Sequence, residues 1–222
     1  MPDKKETLPG GTAVYTAAHH RIGTDALLLA GFCEAKRLWS ACDLGSGCGI
    51  VLLSLKDQGL CGPSVGVEID PDGTALLQRA IAENDFADTE AVTADFTDYR
   101  PGRLFDLVVA NPPYFSAGLL PPEAGRARAR HEVDATLAAL CETAALLLKD
   151  GGRFCLCFPP ARLAELTACL LENRLEPKRL QLCRKVHNAP PWLLLMDARK
   201  AGGTGLGILP DYILPPGRAL HY

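Results

Sequence analysis

From Leu38 to Asn173 short apolar runs alternate with longer segments of helical period, and this alternation restricts the fold more tightly than any other feature. It predicts strands over 38–42, 65–69, 90–94, 104–110 and 153–158, with helices over 50–60, 71–84, 131–148 and 161–173. Lys149-Asp150-Gly151-Gly152 reads as the turn before the strand at 153. Strands joined through helices run parallel, and a parallel sheet needs cover on both faces. Two later strands, 178–185 and 192–198, follow one another without a long helix and predict an antiparallel pair at the edge. The expected architecture is α/β: a mostly parallel seven-stranded sheet, an antiparallel C-terminal edge strand and helices on both faces. Ahead of it, Gly10-Gly11 between Leu8 and Val14-Tyr15 reads as a hairpin or loose arm within residues 1–23. Thr24 is placed to cap a helix from Asp25 to about Lys36, with the Asp25 charge at its positive end. A chain of 222 residues suits one domain over 1–222.

In an open sheet of this kind, ligands collect at the carboxyl ends of the strands. Asp43, Glu68, Asp95 and Asn111 all fall at or just past such ends, so the expected crevice gathers four polar side chains. Asp43-Leu44-Gly45-Ser46-Gly47-Cys48-Gly49 supplies a glycine turn between strand and helix, where Gly45 and Gly47 allow close backbone approach. The helix that follows leaves unpaired N–H groups facing the same space. A diphosphate can use such groups, which keeps a nicotinamide enzyme open. The spacing is Gly-x-Gly-x-Gly rather than Gly-x-Gly-x-x-Gly, however, and Asp43 favours a cationic sulfonium or an ammonium over a diphosphate. Glu68 can accept from two ribose hydroxyls, a role common to both cofactor types. Asp95 can accept from an adenine amino group while Phe96 packs on the purine.

Asn111-Pro112-Pro113-Tyr114 closes the strand predicted over 104–110. A planar NH2 group can donate to the Asn111 side-chain oxygen and the Pro112 carbonyl, which aims its nitrogen lone pair at a methyl carbon. Pro113 stiffens the backbone carrying these acceptors. Tyr114 can stack on a base. Positioning and electrostatics then carry the catalysis without a covalent enzyme intermediate. One segment holds a cofactor and the other presents a planar nitrogen to it; the pairing points to methyl transfer.

Charge is uneven along the chain. The formal net charge of −3 divides into −8 over residues 1–125 and +5 over residues 126–200, so a polyanion is expected to meet the C-terminal half. Arg126, Arg128, Arg130 and His131 can contact substrate phosphates or form the solvated start of a helix. No apolar run approaches the roughly 18–20 residues that span a bilayer, and no signal-type stretch follows Met1, which predicts a cytoplasmic protein. The nine cysteines form no Cys-x-x-Cys pair. They predict buried free thiols in a reducing compartment and no metal, with Cys155 and Cys157 on one strand face.

These motifs resemble those of class I S-adenosylmethionine-dependent methyltransferases of the Asn-Pro-Pro-Tyr amino-methylating group. Asp43 to Gly49 resembles the cofactor loop, Glu68 the acidic ribose ligand, Asp95 the adenine-side residue and Asn111 to Tyr114 the catalytic motif. The resemblance implies a Rossmann-like fold, S-adenosyl-L-methionine as cofactor, and Asn111, Pro112 and Tyr114 as catalytic residues. A closer similarity is to the valine-tRNA adenine-N6 methyltransferase family. It is carried by the segment His20 to Leu29, by Arg128-Ala129-Arg130-His131-Glu132 and by Ala198-Arg199-Lys200. It implies adenine-N6 methylation of RNA, specifically tRNA near the anticodon, with Thr24 and Asp25 bordering the methionine end of the cofactor. Pro113, Tyr114, Arg126, Arg128, Arg130 and His131 become the substrate-binding candidates. Two alternatives stand beside it: a protein glutamine N5-methyltransferase sharing the amide socket, and a non-catalytic RNA-binding module of the same fold.

Overall fold

A computed structural model describes residues 3–112 and 137–215. The main sheet rests on a β-α series: β3 (Ala41–Leu44), α2 (Ile50–Asp57), β4 (Ser64–Glu68), α3 (Pro71–Glu83), β5 (Thr89–Thr93) and β6 (Phe105–Ala110). Strands β3 and β4 are buried at every residue and β6 at all but Asp106, as expected of central parallel strands covered on both faces. Residues 137–147 form the described part of a further helix, α4. It is followed by β7 (Leu148–Phe158), α5 (Leu163–Glu172), β8 (Leu175–Arg184) and β9 (Leu193–Lys200). Two two-residue strands, β10 (Gly207–Ile208) and β11 (Tyr212–Ile213), pair with the outer side of β8.

These strands make a nine-stranded sheet in the order β10-β8-β9-β7-β6-β3-β4-β5, with β11 also on β8. Its seven long strands are the seven expected. The antiparallel strand is displaced from its expected place, because β9 lies between β7 and β8 rather than at the edge. Burial explains the order: Leu193 to Ala198 are all buried, whereas β8 alternates buried with half-buried residues and tolerates the outer position. The turn expected before the strand at 153 also differs. Strand β7 begins at Leu148, opposite Phe105, and residues 149–152 bulge out before Arg153 resumes pairing at Leu107.

Helices cover both faces. Helix α1 (Thr24–Cys33) joins α2 and α3 on one face, over Ala41, Leu107, Val109, Cys155 and Cys157. Helices α4 and α5 cover the other, over Cys42, Leu44, Val108, Ala110, Phe154 and Leu156. The two-residue period of the strands thus sorts 107, 109, 155 and 157 from 108, 110, 154 and 156, and places both cysteines on one face as expected. All nine cysteines are free thiols. No helix among the described residues is long and apolar enough to cross a membrane.

The cap of α1 differs from expectation. Gly23 is the N-cap, Thr24 is the first helical residue, and the helix ends at Cys33 because Glu34 takes the left-handed conformation (φ 47°). The helix expected over 50–60 ends at Asp57. Gly49 caps its start with φ 81°, and a Cβ there would lie 2.3 Å from Leu77 Cδ1. Only glycine serves at that junction of loop, α2 and α3.

The N-terminal segment is a tied hairpin. Strands β1 (Lys4–Thr7) and β2 (Ala13–Thr16) pair antiparallel, apart from the main sheet. Asn84, at the end of α3, accepts from the Ala13 N–H and donates to the Ala13 carbonyl, both at 2.8 Å, in the manner of a neighbouring strand. The Asp57 carboxylate accepts from the Gly10 and Thr12 N–H groups at 2.8 and 3.0 Å. The Arg79 guanidinium lies 3.9 Å from the Tyr15 ring centroid. Asn84→Ala leaves the Ala13 backbone groups unpaired and is expected to cost about 2 kcal/mol. Hydrogen exchange should quicken over residues 4–16 while β3, β4 and β6 keep their protection; unchanged hairpin protection would contradict this clasp.

Candidate active site

The order of the strands reverses between β3 and β6, which pair directly, with Leu44 beside Ala110. The backbone therefore leaves the sheet in two directions from neighbouring points, into the glycine turn on one side and into Asn111-Pro112 on the other. Such a switch point opens a crevice by construction. A cleft of about 440 Å³ occupies it, lined among others by His20, Asp43, Ser46, Glu68, Ile69 and Asn111. Gly45, Gly47, Asp95 and Phe96 also line it. Seven of the predicted cofactor residues thus share one cleft.

Glu68 organises the floor. Its carboxylate is 8% exposed and accepts from the Gly47 N–H at 2.6 Å and the Asp70 N–H at 2.9 Å. One side chain fixes the glycine turn to the end of β4 and the start of α3. A carboxylate has about four acceptor positions, so the two oxygens keep capacity for a ligand diol. Asp70 extends the chain of contacts: it caps α3 through the Asp72 N–H at 3.0 Å and bonds His20 Nε2 at 2.8 Å. The His20 contact, with the Asp72 amide, holds the Asp70 carboxyl below its ordinary range.

Asp43 is the electrostatic anomaly of the site. It is 1% exposed, and its Oδ2 has no hydrogen-bond partner among the described residues. Burial pushes its carboxyl from the usual value near 3.8 up to about 7, the Leu52 amide opposing and the Glu68 charge adding to the rise. A buried acid with an orphaned oxygen at the wall of a cleft fits a cationic ligand and repels a diphosphate. Asp95 begins a 3-10 turn (Phe96–Asp98), where its Oδ1 accepts from the Thr97 N–H and hydroxyl at 2.9 and 2.7 Å. Those bonds hold its carboxyl below the ordinary range.

Ile69 and His20 are among the cleft residues that sequence reasoning missed. The sequence places Ile69 at the end of a strand, but β4 stops at Glu68, and Ile69 stands 66% exposed at the cleft that Phe96 also lines. An apolar residue directly after a strand-terminal acid was the available signal. His20 reaches the cleft from the segment before α1, and only its contact with Asp70 reveals it.

At the other end of the cleft, Asn111 Nδ2 donates to Asp25 Oδ2 at 3.2 Å, and the Cys157 thiol donates to Asn111 Oδ1 at 2.9 Å. Thr24 and Asp25 stand in the first turn of α1; neither lines the cleft, and the Asp25 carboxylate meets Asn111 instead. Pro112 directly follows Asn111 and is half-buried. Pro113, Tyr114, Arg126, Arg128, Arg130 and His131 lie outside the described residues, as does the first part of the helix expected over 131–148. Among the described residues no group of three or more His, Cys, Asp or Glu side chains could hold a metal ion.

The Methyltransferase small domain model matches residues 7–160. A tRNA1(Val) (adenine(37)-N6)-methyltransferase of Porphyromonas gingivalis is 33% identical over 196 residues, covering 84% of this chain and 77% of that protein. One of Parabacteroides distasonis is 29% identical over 80% of this chain and 76% of its own length. Among solved structures, a predicted O-methyltransferase of Agrobacterium tumefaciens superposes with a TM-score of 0.70 at 20% identity, covering 89% of this chain and 92% of that one. A 16S rRNA N2 methyltransferase of Thermus thermophilus, in complex with AdoMet and guanosine, gives 0.64 at 21% identity over 90% of this chain and 50% of its own. The structural likenesses establish a Rossmann-like class I methyltransferase fold. With the domain model spanning most of it and a relative one-third identical along four-fifths of its length, the chain belongs to the small-domain methyltransferases and, within them, to the tRNA1(Val) adenine-N6 methyltransferase family.

Proposed function

We propose that the protein transfers a methyl group from S-adenosylmethionine to the exocyclic N6 of adenine in RNA, namely a tRNA beside its anticodon, with the whole chain acting as one methyltransferase domain. The observation that carries this reading is the β3–β6 pairing, which sets Asn111 at the end of the cleft that Asp43 and Glu68 line. The family membership supports the substrate, as does the positive charge of residues 126–200. Nine free thiols support a cytoplasmic location.

When bound, S-adenosylmethionine supplies an electrophilic methyl group on a sulfonium sulfur, with a neutral thioether as leaving group. Glu68, fixed by the Gly47 and Asp70 amides, would accept from its two ribose hydroxyls. Ile69 and Phe96, which both line the cleft, would offer apolar surface to the adenine ring, and Asp95 an acceptor for its amino group. Asp43 supplies the negative charge that the cationic end of the cofactor meets.

On the substrate side, Asn111 Oδ1 and the Pro112 carbonyl accept the two hydrogens of the target amine. This directs its lone pair along the line of attack and withdraws it from the ring as the new N–C bond forms. The nitrogen becomes acidic once methylated and sheds one of its protons to water, so no strong base is required. Tyr114 stacks on the target base, Pro113 stiffens the turn, and Arg126, Arg128, Arg130 and His131 hold the flanking phosphates. The base must leave its stack to reach Asn111, which favours an unpaired nucleotide such as one in a loop.

Two results test this reading. Asn111→Ala is expected to lower kcat for tRNA by about a hundredfold while the calorimetric Kd for S-adenosylmethionine stays within about threefold. Wild-type turnover in the folded variant would overturn the assignment. Incubation of the wild type with labelled cofactor and separate RNA and protein fractions should place the label in N6-methyladenosine; label on glutamine would favour the protein substrate, and no transfer with intact RNA binding the non-catalytic module.

Asp43 generates a pH dependence. In the ligand-free fold its carboxyl keeps its proton to about pH 7, whereas in the unfolded chain it releases it near 3.8. The folded state therefore binds more protons across that window, and ligand-free stability contributed by this group falls as pH rises through it. A cationic ligand favours the ionised form, so cofactor affinity should weaken below about pH 7, by up to about tenfold per pH unit. Asp43→Asn should flatten both dependences; an unchanged slope of Kd against pH in that variant would contradict the assignment.

A further inference from the structure

We infer that Asp25 acts as a positioning residue for Asn111: it fixes which face of the Asn111 amide the substrate amine meets, through a hydrogen bond that a flipped amide cannot make. The inference rests on the proposed reading in that the group to be received is an amine. An Asn side chain can present oxygen or NH2 at nearly the same place, since the two ends differ little in size. Only the oxygen can accept from a substrate NH2, so half of the accessible orientations are unproductive unless the protein selects.

The structure shows the selecting contacts on both sides. Asp25 Oδ2 lies 3.2 Å from Asn111 Nδ2, and a carboxylate only accepts, so it demands NH2 at that position. The Cys157 thiol donates to Asn111 Oδ1 at 2.9 Å. Its placement follows from the sheet: β6 and β7 pair Ala110 with Leu156, so Asn111, the first residue past β6, comes beside Cys157, the next residue of β7, on the face covered by α1. Turning the amide over would set its oxygen against the Asp25 carboxylate and lose both bonds.

Asp25 is itself held. Its Oδ1 accepts from the Ala26 N–H at 2.9 Å, at the positive end of α1. Gly23, the N-cap, leaves the room this requires, because a Cβ there would lie 2.1 Å from Asp25 Oδ1. The Asp25 carboxylate is thus engaged through both oxygens by the chain's own groups, one fixing it to the helix and the other fixing Asn111. The amide is oriented before any substrate arrives, which is the condition for electrostatic stabilisation without reorganisation.

This arrangement predicts an inverted mutational order. Asp25→Asn keeps size and shape. Its oxygen remains on the Ala26 N–H, which turns its NH2 toward Asn111 and drives the Asn111 amide over. Asp25→Ala merely removes the partner. Methylation of tRNA should therefore fall in the order wild type, Asp25→Ala, Asp25→Asn, with kcat reduced about tenfold or more in Asp25→Asn, a lost charge-assisted hydrogen bond being worth roughly that factor. The calorimetric Kd for S-adenosylmethionine should stay within about threefold in both variants, and Asp25→Asn combined with Asn111→Ala should be no slower than Asn111→Ala alone. A purely structural role gives the opposite order, with the isosteric Asn milder than Ala.

The side-chain amide resonances of Asn111, recorded by NMR in ligand-free protein, provide a readout independent of turnover and of folding yield. One Nδ2 proton should be shifted downfield by the carboxylate and lose that shift in both variants. Asp25→Asn with wild-type kcat, or with weakened cofactor binding at unchanged kcat, would overturn the proposal. A shifted amide in a wild-type protein that methylates no adenine would leave the orientation standing and end the functional reading instead.

Discussion

The side-by-side parallel pairing of β3 and β6 is the constraint from which the rest of the site follows. It sets Leu44 beside Ala110, so that the glycine turn and the Asn111-Pro112 turn emerge as neighbours with a gap between them. Nothing in either turn alone creates the cleft. The buried apolar side chains of the two strands secure the pairing from both faces, and helices α1 and α2 then wall the space on the side where Asp43, Asn111 and Cys157 point. Asp25 belongs to the same geometry, since α1 packs over β7 with its N-terminus near the strand ends.

The site concentrates negative charge and spends its hydrogen-bond donors on holding that charge still. Two backbone amides secure Glu68, a third and His20 secure Asp70, and Thr97 secures Asp95. Of the carboxylates, Asp43 is left under-satisfied, at a position where burial makes its charge costly. Such an arrangement disfavours phosphate-rich cofactors and is relieved by a cation. Fold and electrostatics thus make the same choice between the dinucleotide and sulfonium readings that the glycine spacing left open.

Much of this was legible in the sequence, and for identifiable reasons. Strand positions, the acids at their ends and the Asn111 turn follow from periodicity and from the rule that loops at strand ends meet in a crevice. The two-residue period also placed Cys155 and Cys157 together. Other features depend on tertiary partners that local pattern does not reveal. The interior place of β9 is set by which of two adjacent strands is buried on both faces. The turn at 149–152 became a bulge because Leu148 already pairs with Phe105. Thr24 gave way to Gly23 as the helix cap, and Asp25 turned toward Asn111, a residue 86 positions away. Ile69 was hidden by its resemblance to one more strand residue.

The central claim is that this sheet brings an amine acceptor and a cationic methyl donor to one cleft in fixed relation. A crystal structure of the protein with a non-reactive cofactor analogue and adenosine measures that relation directly. The account predicts ribose hydroxyls on Glu68, and the adenosine N6 within hydrogen-bonding distance of both Asn111 Oδ1 and the Pro112 carbonyl. An analogue bound away from Glu68, or an N6 held by other groups with Asn111 turned aside, would contradict it.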